Sequence, residues 1–94
     1  MNEIEVVLEN KSIKLSEIDA IDAYKVDLLT MDDIRFDIYV GDSVYTLSED
    51  NHQFNQLDKI FAEYLEGYMA NWREVVVLPA FETNMTRIYG KSDK

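Results

Sequence analysis

The chain of 94 residues contains no cysteine, one proline, one histidine, one tryptophan and three glycines. Without cysteine there is no disulfide, thiolate nucleophile, iron–sulfur cluster or cysteine zinc site. A single histidine is too few for zinc or 2-His-carboxylate iron sites. Three scattered glycines supply no phosphate-cradling loop. His52 lies in no nucleophile-elbow motif, so no catalytic triad is expected around it. No apolar run approaches the roughly 20 residues of a membrane-spanning helix. Basic residues are also scarce. Nine stand against 19 acids, for a net charge of −10, which disfavours nucleic acid and anionic membranes as partners.

What is present suffices for one small globular domain. Hydrophobic residues make up 47% of the chain and aromatics 12%, too many for a disordered segment. The clearest pattern runs from Asp33 to Leu47. Ile34, Phe36, Ile38 and Val40 alternate with polar residues, Gly41-Asp42 follows, and Tyr45 and Leu47 resume the alternation. Period two marks half-buried strands. Gly41 supplies the positive φ of a two-residue II′ turn. That turn pairs Val40 with Ser43, Ile38 with Tyr45 and Phe36 with Leu47.

An N-terminal hairpin is expected from Ile4, Val6 and Leu8 followed by Ile13 and Leu15. Asn10-Lys11 is its expected turn, pairing Leu8 with Ile13 and Val6 with Leu15. Residues 16–29 fit less easily. Ile18, Ala20, Tyr24, Val26 and Leu28 share one strand face, but Asp22 falls among them. A β-bulge near Ala20–Ala23 would repair the alternation, and a helical turn capped by Ser16 is the rival. Thr30-Met31-Asp32 then turns into the central hairpin.

Asp50 reads as the N-cap of a helix, with Gln53 as its capping-box partner. Phe54, Leu57, Phe61, Tyr64, Leu65 and Tyr68 form its apolar stripe. Asp58, Lys59, Glu63 and Glu66 fall on the other side, and Gly67 is a plausible stop. Asn71 and Glu74 suggest a second helix start, whereas Val75-Val76-Val77 favours a strand. Asn84 to Tyr89 is a candidate last strand. The expected fold is α+β: an antiparallel meander of about five strands, covered on its apolar face by one long amphipathic helix. A short helix or strand and a short C-terminal strand complete it. One domain over residues 1–90 is expected, with residues 91–94 as a frayed tail.

The tail Trp72-x3-Val76-x2-Pro79-x-Phe81-x2-Asn84-x-Thr86-x-Ile88-Tyr89 resembles the C-terminal signature of a family of small uncharacterised bacterial proteins. Leu15-Ser16-Glu17-Ile18, Asp33-Ile34, Glu49 and Phe54 are also similar to that family. Ala80 stands where those relatives usually carry a second proline. The resemblance implies a shared α+β fold and carries no catalytic residue.

Charge points to function more than motifs do. Residues 1–50 carry 13 acids and 4 bases, hence −9, while residues 51–94 carry 6 acids and 5 bases, hence −1. On the expected strands Glu3, Glu5, Glu9, Asp27, Asp33 and Asp37 lie opposite the apolar face, with Lys14, Lys25 and Arg35 among them. Such a face could dock a basic partner and steer fast association. Trp72, Phe81 and Tyr89 form either a second small core or an interaction patch. The expected activity is therefore non-enzymatic binding of a basic protein, with immunity-type inhibition as the analogy of size and charge. The candidate protein-binding residues are Glu3, Glu5, Asp27, Asp33, Asp37, Trp72 and Tyr89. No catalytic, cofactor or metal residue is expected. A self-associating scaffold, a homodimer through sheet edges and the tail, is the alternative. The acidic start Met1-Asn2-Glu3-Ile4-Glu5 lacks a signal peptide's basic region and apolar run, which suggests a cytoplasmic protein.

Overall fold

A computed structural model describes residues 4–27, 32–77 and 85–91. The chain is α+β. Strands β1 (Glu5–Leu8) and β2 (Lys11–Lys14) form a two-stranded hairpin. A 3-10 turn over Leu15–Glu17 leads to β3 (Ala20–Asp27), β4 (Asp32–Val40) and β5 (Ser43–Ser48). Helices α1 (Phe54–Tyr64) and α2 (Trp72–Val77) follow, and β6 (Thr86–Gly90) closes the chain. The main sheet is antiparallel, in the order β5-β4-β3-β6.

The central hairpin takes the expected register: Phe36 opposite Leu47, Ile38 opposite Tyr45 and Val40 opposite Ser43. Gly41 has φ +59° and Asp42 is not left-handed, as a II′ turn requires. The first hairpin differs from expectation. Leu8 pairs with Lys11 and Val6 with Ile13, so the turn is Glu9-Asn10, one residue earlier. Both turn residues have positive φ, 51° and 70°, the requirement of a type I′ turn. Asn10 tolerates that conformation readily, whereas Glu9 gave no sequence signal of it.

Residues 15–23 begin with a helical turn, and β3 does not carry the bulge expected near Ala20–Ala23. The 3-10 turn is present, closed by the Lys14 N–H donating to the Glu17 carboxylate at 3.0 Å, not by Ser16. A register break is also present, but only against β6. There the pairing passes from Ile21↔Tyr89 to Asp22↔Arg87, so the extra residue is Ile88. Against β4, β3 pairs without interruption. Ile21 and Ala23 therefore face the core with Ile38 and Phe36. Tyr24 lies on the opposite face with Asp22, contrary to its expected place on the apolar side.

The core lies on one side of the main sheet. Phe36 sits 4.4 Å from Phe54 and 4.9 Å from Trp72, centroid to centroid, the latter edge-on. Such pairs contribute about 0.5–1.5 kcal/mol beyond the area they bury. Val6, Leu8, Ile13 and Leu15 carry the hairpin onto the same core. Phe54, Leu57 and Phe61 are the buried stripe of α1. Tyr64, expected in that stripe, is 52% exposed, because the stripe passes from Phe61 to Leu65 and leaves it at the margin. Asp50 is not the cap. The Asn51 side chain accepts from the Gln53 N–H at 2.8 Å and the Asn51 carbonyl from Phe54, so an Asx turn precedes the helix. Residues 72–77 are helical, with the Glu74 N–H donating to the Asn71 carbonyl. β6 fulfils the expected last strand, in antiparallel pairing with β3. Lys25, expected on the polar face, pairs with Ile34 and is buried.

Candidate functional site

Side chains alternate along strands, so the face turned away from the core carries Asp22 and Tyr24 on β3 and Asp33, Arg35, Asp37 and Tyr39 on β4. Thr46 and Ser48 on β5 and Arg87 on β6 share it, as do the apolar Ala20, Val26 and Val44. No described helix packs over this face. Thr46, Asp37, Asp22 and Arg87 form one cross-strand row. Two aspartates stand directly opposite each other in it, which alone is unfavourable.

A repeated Asp-x-Tyr pattern resolves the conflict. Asp22-Ala23-Tyr24 and Asp37-Ile38-Tyr39 run antiparallel, and each tyrosine donates to the other strand's aspartate. The Tyr24 hydroxyl donates to Asp37 Oδ1 at 3.0 Å and the Tyr39 hydroxyl to Asp22 Oδ2 at 3.1 Å. Arg87 donates through Nε to Asp22 Oδ1 and lies 5.7 Å above the Tyr39 ring. Thr46 Oγ1 donates to Asp37 Oδ1 at 2.8 Å. Burial, then the bond to Asp37, raises the Tyr24 phenol above its ordinary pKa. Burial, then the bond to Asp22, does the same for Tyr39.

Asp33 is similarly committed. It accepts from Arg35 Nε at 2.8 Å and from Ser48 Oγ at 2.8 and 3.0 Å. The three described aspartates of the face thus meet two arginines, and only Asp37 lacks a cation. Its Oδ2 accepts no hydrogen bond among the described residues.

The candidate residues scatter. Glu5 is exposed, but it belongs to the separate hairpin, where Ser12 donates to it at 2.7 Å. The acids therefore do not form one continuous sheet face. Glu3 lies outside the described residues, and so does Phe81. Asp27 ends β3 opposite Asp32, and its side chain lies outside the described set. Trp72 is 1% exposed and cannot present its ring to a partner. Its indole N–H donates to Asp58 Oδ1 at 2.9 Å, and the Tyr68 hydroxyl donates to the same oxygen at 2.6 Å. Tyr89 is half-buried against the core, with its phenol pKa raised by burial and then by Asp19. Sequence reasoning missed Asp22, Arg87 and Asp58. The doubled Asp-x-Tyr was a visible signal for the first, while Arg87 and Asp58 depend on contacts distant in sequence.

Uncommitted carboxylates lie around β5 instead. Asp42 in its leading turn, Asp50 beyond its end and Glu9 at the hairpin tip are exposed, and among the described residues no ion pair engages them. An open groove of about 350 Å³ runs beside β5, lined by Glu9, Asn10, Thr46, Asn51, His52 and Gln53 among others. β5 is an edge of the sheet. Among the described residues, no group of three or more acids or histidines is arranged to hold a metal ion, and no helix is long and apolar enough to cross a membrane.

Comparison with known proteins identifies no relative: no family model matches the chain, and neither a curated protein nor a solved structure matches it.

Proposed function

We propose that the protein is a non-enzymatic acidic binding protein that docks a basic protein partner, acting by occlusion as an immunity-type inhibitor does, in the cytoplasm. The observation that carries this reading is the division of the carboxylates. Asp22 and Asp33 are held by arginines within the fold. Among the described residues, one Asp37 oxygen accepts no hydrogen bond, and the exposed Glu9, Asp42 and Asp50 around β5 form no ion pair. Excess exposed negative charge steers a basic partner and fixes its orientation.

Capture from the source cell on the tagged protein, at low and at high salt, tests it. We expect one basic protein to be retained at low salt and released at high salt. Equal retention at both salts contradicts electrostatic docking. A second reading, a self-associating scaffold, draws support from one feature, the uncharged edge of β5, which pairs with no further strand among the described residues. Recovery of the protein's own untagged copies would favour it.

A further inference from the structure

We propose that the free edge of β5 receives an extended, basic segment of the partner protein as an added strand; this rests on the reading of the protein as a binder of a basic partner.

The hydrogen-bond parity of β5 identifies the available groups. A two-residue turn makes Val40 and Ser43 a hydrogen-bonded pair, so Ser43, Tyr45 and Leu47 bond to β4. The Glu49 N–H donating to the Ile34 carbonyl at 2.8 Å continues the same parity. Val44, Thr46 and Ser48 therefore direct their backbone groups outward. The Ser48 carbonyl accepts from Asn51. The N–H and C=O of Val44 and Thr46 have no backbone partner among the described residues, which makes them a ready template for another strand.

The two edges of the sheet differ in protection. β6 carries Arg87 and a bulge at Ile88, two devices that discourage strand addition. The sequence of β5, Ser43-Val44-Tyr45-Thr46-Leu47-Ser48, has neither charge nor proline, and it pairs with β4 through six residues without a break. Val44 is 51% exposed.

Charge selects the occupant. Asp42 and Asp50 flank the strand, and Glu9 stands on the wall of the groove beside it. Alternate side chains of an added strand would enter that groove, and the others would lie over the open face in the row of Thr46 and Asp37. A second copy fits poorly. Antiparallel pairing centred on Thr46 opposite Thr46 sets Asp42 of one copy against Asp50 of the other, and each copy carries −10. A lysine-bearing strand meets the same carboxylates favourably.

The probe is a synthetic peptide of alternating lysine and valine, with alternating glutamate and valine as control, and the readout is amide hydrogen exchange. The lysine peptide should slow exchange at Val44 and Thr46 by about tenfold or more, and the glutamate peptide should not. Val44→Pro removes an outward N–H while sparing the ladder to β4, and Val44→Lys adds an edge charge without touching the backbone. Both should bind the lysine peptide at least about tenfold more weakly, whereas Glu63→Gln on α1 should not. Salt-sensitive binding of the lysine peptide with unchanged Val44 and Thr46 exchange overturns edge addition and leaves the acidic-binder reading standing. No binding of the peptide even at low salt overturns both. Protected Val44 and Thr46 amides in a free protein of twice the chain mass overturn the proposal in favour of a second copy.

Discussion

The two faces of the four-stranded sheet are made by the same strands and held by opposite means. The inner face closes on aromatic and aliphatic side chains: Phe36, Phe54, Phe61 and Trp72 are all nearly inaccessible. The outer face carries aspartates, tyrosines and arginines that satisfy one another across strands. Burial of apolar area drives the first. On the second, a buried carboxylate would be costly without partners, and each described aspartate of the face has them. The difference teaches that acidity alone does not mark a docking surface here. Much of the charge that looks available on the sheet is committed to structure, and Glu9, Asp42 and Asp50 around β5 are engaged by no ion pair among the described residues.

Substitutions can break this contrast in order of size. Trp72→Ala should destabilise most, by about 3–5 kcal/mol, because it empties the site that Phe36 and Phe54 pack against and leaves Asp58 without its indole donor. Denaturant unfolding measures this as a lower midpoint. Asp33→Ala should cost about 1–3 kcal/mol, since Asp33 is 5% exposed and accepts from Arg35 and Ser48. If the outer face were merely a solvated surface, Asp33→Ala would be neutral in the same assay.

Tyr68→Phe sharpens the comparison through pH. Burial, and then the bond to Asp58, raise the Tyr68 phenol far above its ordinary value of 10.0. In the unfolded chain the phenol loses its proton from about pH 10 upward, while in the fold it stays protonated. The unfolded state then binds fewer protons, so stability falls as pH rises above about 10. Tyr68→Phe should cost about 0.5–1.5 kcal/mol at neutral pH for the lost hydrogen bond and should flatten the alkaline decline. Unfolding midpoints measured at neutral pH and above 10 check both effects; a variant that declines as steeply as the parent assigns the loss to other groups. The smallest effect on stability is expected from Asp42→Asn with Asp50→Asn, within about 0.5 kcal/mol, because both side chains are exposed and neither forms an ion pair among the described residues.

The same contrast explains what the sequence revealed. Local chemistry was legible. Gly41-Asp42 and the alternation around it determine the register of β4 and β5, and the stripe Phe54, Leu57, Phe61 locates α1. The β1–β2 register was missed by one turn position because Glu9 occupies a left-handed conformation that nothing in its residue type signals. The face of β3 was misread because Asp22 interrupts an otherwise apolar set. Its burial becomes tolerable through Tyr39 across the ladder and Arg87, 65 positions away. Asp58 reads as a surface helix residue until Tyr68 and Trp72 converge on it. Trp72 itself could have served either core or partner, and only packing against Phe36 decides between them.

The most direct test of the docking account is the affinity for the lysine–valine peptide at low and high salt, in the parent and in the Asp42→Asn, Asp50→Asn double variant. We expect the parent to lose about tenfold or more in affinity at high salt. The double variant should bind weakly at low salt and respond little to added salt, with its fold intact. Equal affinity of both proteins at both salts would contradict a docking surface built from these carboxylates.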